Sequence, residues 1–162
     1  MNYEYFARME AGELCPADGE TDQAFMERVL TAVLTEPSEE LKGSFNDMFH
    51  PQLCACSAAD RSLTVTFPTE DWMRNPNGTL HGGVSAAAVD IVMSVMTRFF
   101  MKKRTTVTVQ LNTNFLKVIP ADGTFTVHAV ADHAGRRCVM IRAVVTGEAS
   151  NKPAVTASGV LM

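Results

Sequence analysis

The chain has 162 residues and a mass of 17.6 kDa, the length of one domain with a substantial core and too short for two full ones. Apolar residues make up 46% and charged residues 20%, and no Gly/Ser, Gln/Asn or acidic tract interrupts them, so extended disorder is excluded. Lys+Arg 14 against Asp+Glu 18 gives a net charge of −4, which removes the overall footprint of a nucleic-acid binder and requires a local basic patch for any polyanionic ligand.

The opening MNYEYFARMEAGE carries acidic side chains and no apolar run of signal-peptide length. No uninterrupted apolar stretch reaches the ~18 residues of a membrane span. The expected location is the cytoplasm, with no membrane partner, and Cys15, Cys54, Cys56 and Cys138 are expected as reduced thiols. Cys54 and Cys56 form a C-x-C without a second Cys/His pair at zinc-like spacing, and read as two residues on one face of a strand. No metal is expected.

In TDQAFMERVLTAVLTEP the apolar positions Phe25, Met26, Val29, Leu30, Val33 and Leu34 recur at helical spacing. Thr21 or Asp22 can cap the start and Pro37 stops the helix; Ser38 can open a short turn through Glu39, Glu40 and Leu41 that Gly43 ends. This stretch reads as packing, and a boundary is expected near residue 50, dividing a helical arm (1–50) from a sheet-forming body (51–162). From residue 52 the period is two, in QLCACS and then in SLTVTFP.

A polar, turn-rich stretch, TEDWMRNPNGTL, leads into HGGVSAAAVDIVMSVMTRFF, which has the length and composition of one helix of about five turns. Strands follow in TTVTVQLNTNFLKV, TFTVHAVAD, RRCVMIRAVVTGE and AVTASGVLM, separated by the turn chemistry of IPADG, HAGR and SNKP. The short HAGR link demands an antiparallel hairpin, because parallel neighbours need a crossover of a dozen or more residues.

Between Leu80 and Thr97 the only ionisable side chains are His81 and Asp90. A helix apolar on every side is buried, so one side faces the sheet and the arm or a second subunit covers the other. A carboxylate in that setting is costly unless paired, hydrogen-bonded or protonated, which makes Asp90 either a candidate general base or a carboxylate bonded at a subunit seam. Gly82 and Gly83 lack Cβ atoms and let a ligand approach the free N–H groups of the first helical turn, where the dipole is positive and an oxyanion is stabilised. His81 would organise that turn through a backbone carbonyl. Asp90 projects from roughly the same side about 11 Å further along.

Asn75 six residues before His81, the run Leu80-His81-Gly82-Gly83, Asp90 nine residues after the His, and the strand TTVTVQLNTNFLKVIPADG together resemble hotdog-fold acyl-CoA thioesterases of the phenylacetate-pathway (PaaI-like) type. The match spans roughly residues 60 to 162; the helical arm lies outside it. The resemblance implies an α+β fold in which a curved antiparallel sheet wraps one long helix, in homodimers with shared active sites and often a dimer of dimers. It implies that the Gly82 N–H and the Asn75 amide polarise a thioester carbonyl while Asp90 from the partner subunit acts as base or orients water. It places Thr108, or Thr106 if the register slips by two, where a hydroxyl holds that water. No cofactor is implied, coenzyme A being part of the substrate. For its phosphates, Arg136 and Arg137 are the best candidates, Lys117 a third, and Arg98, Lys102, Lys103 and Arg104 equally complement the helix dipole. Trp72 either walls the acyl pocket or anchors its loop, and Met93, Met96 and Met101 fit irregular space in the core or in an acyl tunnel, the core being the commoner answer. Rival readings are a hotdog hydratase or dehydratase, which needs a catalytic His, and a non-catalytic acyl-CoA-binding module. No G-x-S-x-G motif accompanies any His, which argues against an α/β-hydrolase.

Overall fold

The computed structural model describes residues 1–148, 150 and 152–162. Two helices come first, α1 (Glu4–Glu10) and α2 (Asp22–Thr35), then strands β1 (Gln52–Ser57) and β2 (Ser62–Pro68). The long helix α3 (Gly82–Met101) follows, and β3 (Thr108–Phe115), β4 (Thr124–Ala134), β5 (Val139–Gly147) and β6 (Val155–Leu161) complete the chain. Every strand foreseen from the period-two runs forms where it was expected. Part of the SNKP turn, at Asn151, lies outside the described residues.

The strands make one six-stranded sheet in the order β1-β2-β4-β5-β6-β3, and every pairing is antiparallel. Alternation sends Leu63, Val65 and Phe67 of β2 inward with Phe125, Val127 and Ala129 of β4, all fully buried, while their neighbours face out. α3 lies across that inner face. Gly159 of β6 makes the close approach fit: a Cβ there would stand 2.7 Å from Met93 Sδ and 3.2 Å from the carbonyl oxygen of Gln110. The helix is long and apolar enough to cross a membrane by length and composition, yet more than half of it is packed inside the protein.

The arm covers what the sheet leaves. Thr21 caps α2 by accepting from the Ala24 N–H, and the predicted stripe from Phe25 to Leu34 is buried in the same apolar cluster as the sheet. Phe25 meets Phe99 of α3 at a centroid separation of 5.9 Å. Residues 39–43 form turns, not helix, and Gly43 supplies a positive φ of 71°.

The two edges of the sheet differ. At β1, Gln23 of α2 donates from Nε2 to the Cys56 carbonyl and accepts from the Ala58 N–H, both at 2.8 Å, blunting that edge. β3 is paired on one side alone, with β6, and Val109, Phe115 and Leu116 are each more than half exposed. The expectation that Cys54 and Cys56 share a face is overturned by a β-bulge between Leu53 and Ala55: Cys56 packs against the core, whereas Cys54 is exposed and touches Thr66. All four cysteines are free thiols.

An aromatic series ties arm, loop and core together. Phe49 packs edge-on to Phe67 at 5.9 Å, and Phe67 stacks on Phe125 at 5.2 Å. Phe67→Ala should cost about 3–5 kcal/mol, read as a lowered urea midpoint at fixed protein concentration.

Candidate active site

The loop before α3 is fastened at several points. Arg74 pairs with Leu80 and Thr79 with Pro120 as antiparallel bridges, and the His81 N–H donates to the Met73 carbonyl at 2.8 Å. Asn75 closes the turn between them: its Oδ1 accepts from the N–H groups of Asn77 (2.9 Å) and Thr79 (3.2 Å), and its amide donates to Thr79 Oγ1 (2.9 Å). Gly78, with φ of 75°, takes the left-handed position of that turn. Trp72 packs on Phe45 and Phe49 of the arm, so it anchors the loop from outside.

His81 is the N-cap of α3. It does not bond a backbone carbonyl as expected; its Nδ1 accepts from the Gly83 N–H at 2.9 Å, and its own carbonyl accepts from Val84 and Ser85. One of the helix's unpaired donors is therefore spent, and Gly83 has no N–H left for a ligand. Among the described residues the N–H of Gly82 has no partner, which makes it the open donor at the positive end of the helix. A Cβ on residue 82 would meet Phe115 Cε1 at 3.2 Å, so the ring of Phe115 lies directly over this position.

Asp90 lies eight positions after Gly82, about 12 Å along the axis at 1.5 Å per residue. It is half-buried, in line with the half-buried Ala86, Ala87 and Ser94. The Thr108 hydroxyl donates to Asp90 Oδ1 at 2.7 Å. The alternative, Thr106, is not on Asp90: its hydroxyl is buried and, among the described residues, unpartnered.

Arg98 continues the Asp90 face two turns on. Its guanidinium carbon stands 4.4 Å from the centroid of the Tyr3 ring. Burial lowers the pKa of Arg98, against the opposing charges of Tyr3 and Asp90. Burial likewise raises the Tyr3 hydroxyl, with Arg98 and a hydrogen bond from Asn46 pulling the other way.

The cations sort by position. Arg98 and Arg104 are engaged, Arg104 with Glu40 at 2.6 Å. Lys102, Lys103, Arg136 and Arg137 form no ion pair among the described residues, nor does Arg61, which the sequence reading passed over. Arg61 sits in the β1–β2 turn, where its carbonyl accepts from the Ala131 N–H, at the sheet end that also carries Thr108 and the β4–β5 turn. Lys117 is at the opposite end, beside Phe115 and the start of α3. One protomer thus brings Asp90, Thr108 and the arginine turn to one end, and Asn75, His81, Gly82 and Lys117 to the other. Sequence patterning gave no signal for Phe115. In the sequence, Arg98 reads only as one of a basic run at the helix end, and its place on the Asp90 face, eight positions on, is not drawn from it. His128 of β4 bonds Thr64 Oγ1 at 2.8 Å on the outer face.

The family model described as the thioesterase superfamily matches residues 77–154. No curated protein matches the chain. Among solved structures, a variant of a Pseudomonas aeruginosa thioesterase is 25% identical, with a TM-score of 0.63 over 78% of this chain and 94% of that one. A phenylacetic acid degradation-related protein of Ralstonia eutropha is 21% identical with a TM-score of 0.68 over 98% of both chains. A Haemophilus influenzae thioesterase is 23% identical with a TM-score of 0.64 over 76% of this chain and 84% of its own. The last two show the fold, the hotdog, and the Ralstonia protein shares it through the arm as well.

His81→Ala should remove the cap and cost about 1 kcal/mol, while His81→Asn, which can still accept, should retain most of the stability; urea denaturation of the two variants side by side checks this.

Proposed function

We propose that this chain, whose residues 77–154 match the thioesterase superfamily, is a thioester hydrolase that acts on a small aryl- or medium-chain acyl-CoA through Asp-assisted attack of water at an oxyanion site made by the start of α3. The observation that carries the reading is the N–H of Gly82, unpartnered among the described residues, at the head of the same helix that holds Asp90. Thioester hydrolysis builds negative charge on the carbonyl oxygen while water loses a proton, so one donor site and one base are the minimum the chemistry needs. The second hydrogen of the Asn75 amide is the additional donor.

Within one protomer the donor and the base stand too far apart to serve one carbonyl. The open β3 edge supplies the remedy. The strand runs from Thr108, on Asp90, to Phe115, on Gly82, about 23 Å at 3.3 Å per residue. Two copies paired antiparallel along β3 about a two-fold axis bring the Thr108 end of one to the Phe115 end of the other, and so Asp90 of one subunit to Gly82 of its partner. The same operation brings Arg136 and Arg137 of one copy to the side of Lys117 of the other, where coenzyme A phosphates need cations. Such a dimer, and a dimer of dimers built from it, belongs to the proposal, as does a cytoplasmic location.

The roles follow. Gly82 polarises the carbonyl. Asp90 takes the proton of the attacking water, and Thr108 orients Asp90 by donating to one carboxylate oxygen, leaving the other for water. His81 is an organiser: with Nδ1 accepting from Gly83, its neutral ring offers only an Nε2–H donor, which suits neither a base nor the dehydratase reading.

Thiol release from a panel of short, medium, long and aryl acyl-CoAs, with blanks for the protein's own cysteines, tests this. Turnover of at least one substrate that Asp90→Asn reduces by about 10³-fold or more is expected, by analogy with loss of an essential transition-state group. Tight acyl-CoA binding without turnover would establish a binding module instead. The double variant Arg136→Ala, Arg137→Ala should raise KM for acyl-CoA and leave KM for the matching acyl-pantetheine unchanged; equal effects on both would remove the phosphate role.

A further inference from the structure

We propose that Arg104 is a positioning residue through which the N-terminal arm fixes the Thr108–Asp90 pair, an inference that rests on the hydrolase reading above. Both backbone groups of Arg104 and its Nη2 are spent on placing the segment between α3 and β3. Its N–H donates to Glu10 Oε2 at 3.0 Å, its carbonyl accepts from Arg98 Nε at 2.8 Å, and its guanidinium donates to both oxygens of Glu40 at 2.6 and 2.7 Å. Arg98 is in turn held by the Tyr3 ring 4.4 Å away. Glu10, Glu40 and Tyr3 all lie outside residues 77–154, the part of the chain that matches the family.

The segment's own hydrogen bonding does not set its path. Thr106 buries its hydroxyl without a partner among the described residues, a cost accepted only where the route is imposed from elsewhere. Two anchors impose it: Arg104 at the near end, and at the far end Val107, which exchanges backbone bonds of 2.6 and 2.9 Å with Met162. Thr108 comes next, with its hydroxyl 2.7 Å from Asp90. As a source of stability the exposed Arg104–Glu40 pair is weak. As the anchor of a catalytic hydroxyl it matters more, because displacements near 1 Å in a reacting array cost up to ~10²-fold in rate. The arm cannot simply be deleted to test this, since Phe6, Met26 and Leu30 are fully buried in the common core.

The test uses the full chain on whichever acyl-CoA the wild type hydrolyses best, comparing Arg104→Met, Arg104→Glu, Glu40→Arg and the swapped double variant Arg104→Glu, Glu40→Arg. Each single variant should lower kcat roughly 10-fold with KM within about two-fold and the urea midpoint nearly unmoved. The swapped pair should recover most of the lost kcat. Unchanged kcat in Arg104→Met, a change confined to KM, or a fall in kcat matched by a fall in midpoint without recovery in the swap would each overturn the role. A wild type that releases no thiol from any acyl-CoA overturns the hydrolase reading, and an Asp90→Asn variant as active as the wild type overturns the role of Asp90; either takes the positioning role with it.

Discussion

A twenty-residue helix with no polar face has to be covered on all sides, and that requirement organises the molecule. The sheet covers one side, with Gly159 omitting a side chain so that Met93 can seat. The arm covers another, through Phe25 on Phe99 and the buried Phe6 and Met26. What remains between them is a narrow strip of small residues, Gly83, Ala86, Ala87 and Ser94, interrupted only by Asp90. A carboxylate could not be afforded elsewhere on this helix. In the strip it keeps access to water and to a second molecule, and Thr108 satisfies one of its oxygens.

The two ends of the sheet order obey a related constraint. A chain with two bare edges is a template for open-ended association. Here Gln23 bonds the backbone of the β1 edge with both its amide nitrogen and its amide oxygen, and α2 lies along it. The β3 edge is left with exposed Val109, Phe115 and Leu116. One sealed edge and one open edge allow a single closed pairing, and the open edge is the one that borders both Gly82 and Asp90. The helical arm therefore does two jobs at a distance from each other, closing one edge through α2 and bracing the segment before β3 through Glu10 and Glu40.

Much of this was legible because it is local. Alternation in SLTVTFP or TFTVHAVAD is the physics of a strand with one buried face, and the absence of charge around Asp90 is the physics of a buried helix. The HGG-x6-D spacing marked the two chemical groups together, and it did so through their common helix. What escaped the sequence depends on contacts between distant parts. The bulge that turns Cys54 away from Cys56 is a matter of pairing with β2. His81 could bond a carbonyl or an amide, and the choice of the Gly83 N–H over a carbonyl is fixed by the turn that the Met73 and Ile119 carbonyls hold in place. Arg98 and Arg104 sit in a basic run that reads equally as dipole complement or phosphate contact, and only their partners in the arm, more than fifty residues away, show that both are already engaged.

Once those two arginines are discounted, the charge pattern of a net-acidic chain becomes informative. Arg61, Lys102, Lys103, Arg136 and Arg137 are exposed and unpaired among the described residues, and they gather at the end of the sheet that carries Asp90. Glu70, Asp71, Asp122 and Glu148 lie toward the other end, around the start of β4. In the two-fold pairing proposed above, each basic end would lie beside the partner's opposite end, which holds these carboxylates together with Lys117. The pairing would also leave a cationic approach beside each Asp90, and a field of that sign raises the local concentration of a polyanionic ligand while the carboxylate itself stays inside a strip of small residues. On the proposed reading, attraction of the substrate and activation of water would be handled by charges of opposite sign that never need to touch: the arginines on the phosphates at the rim, and Asp90 on the water at the thioester.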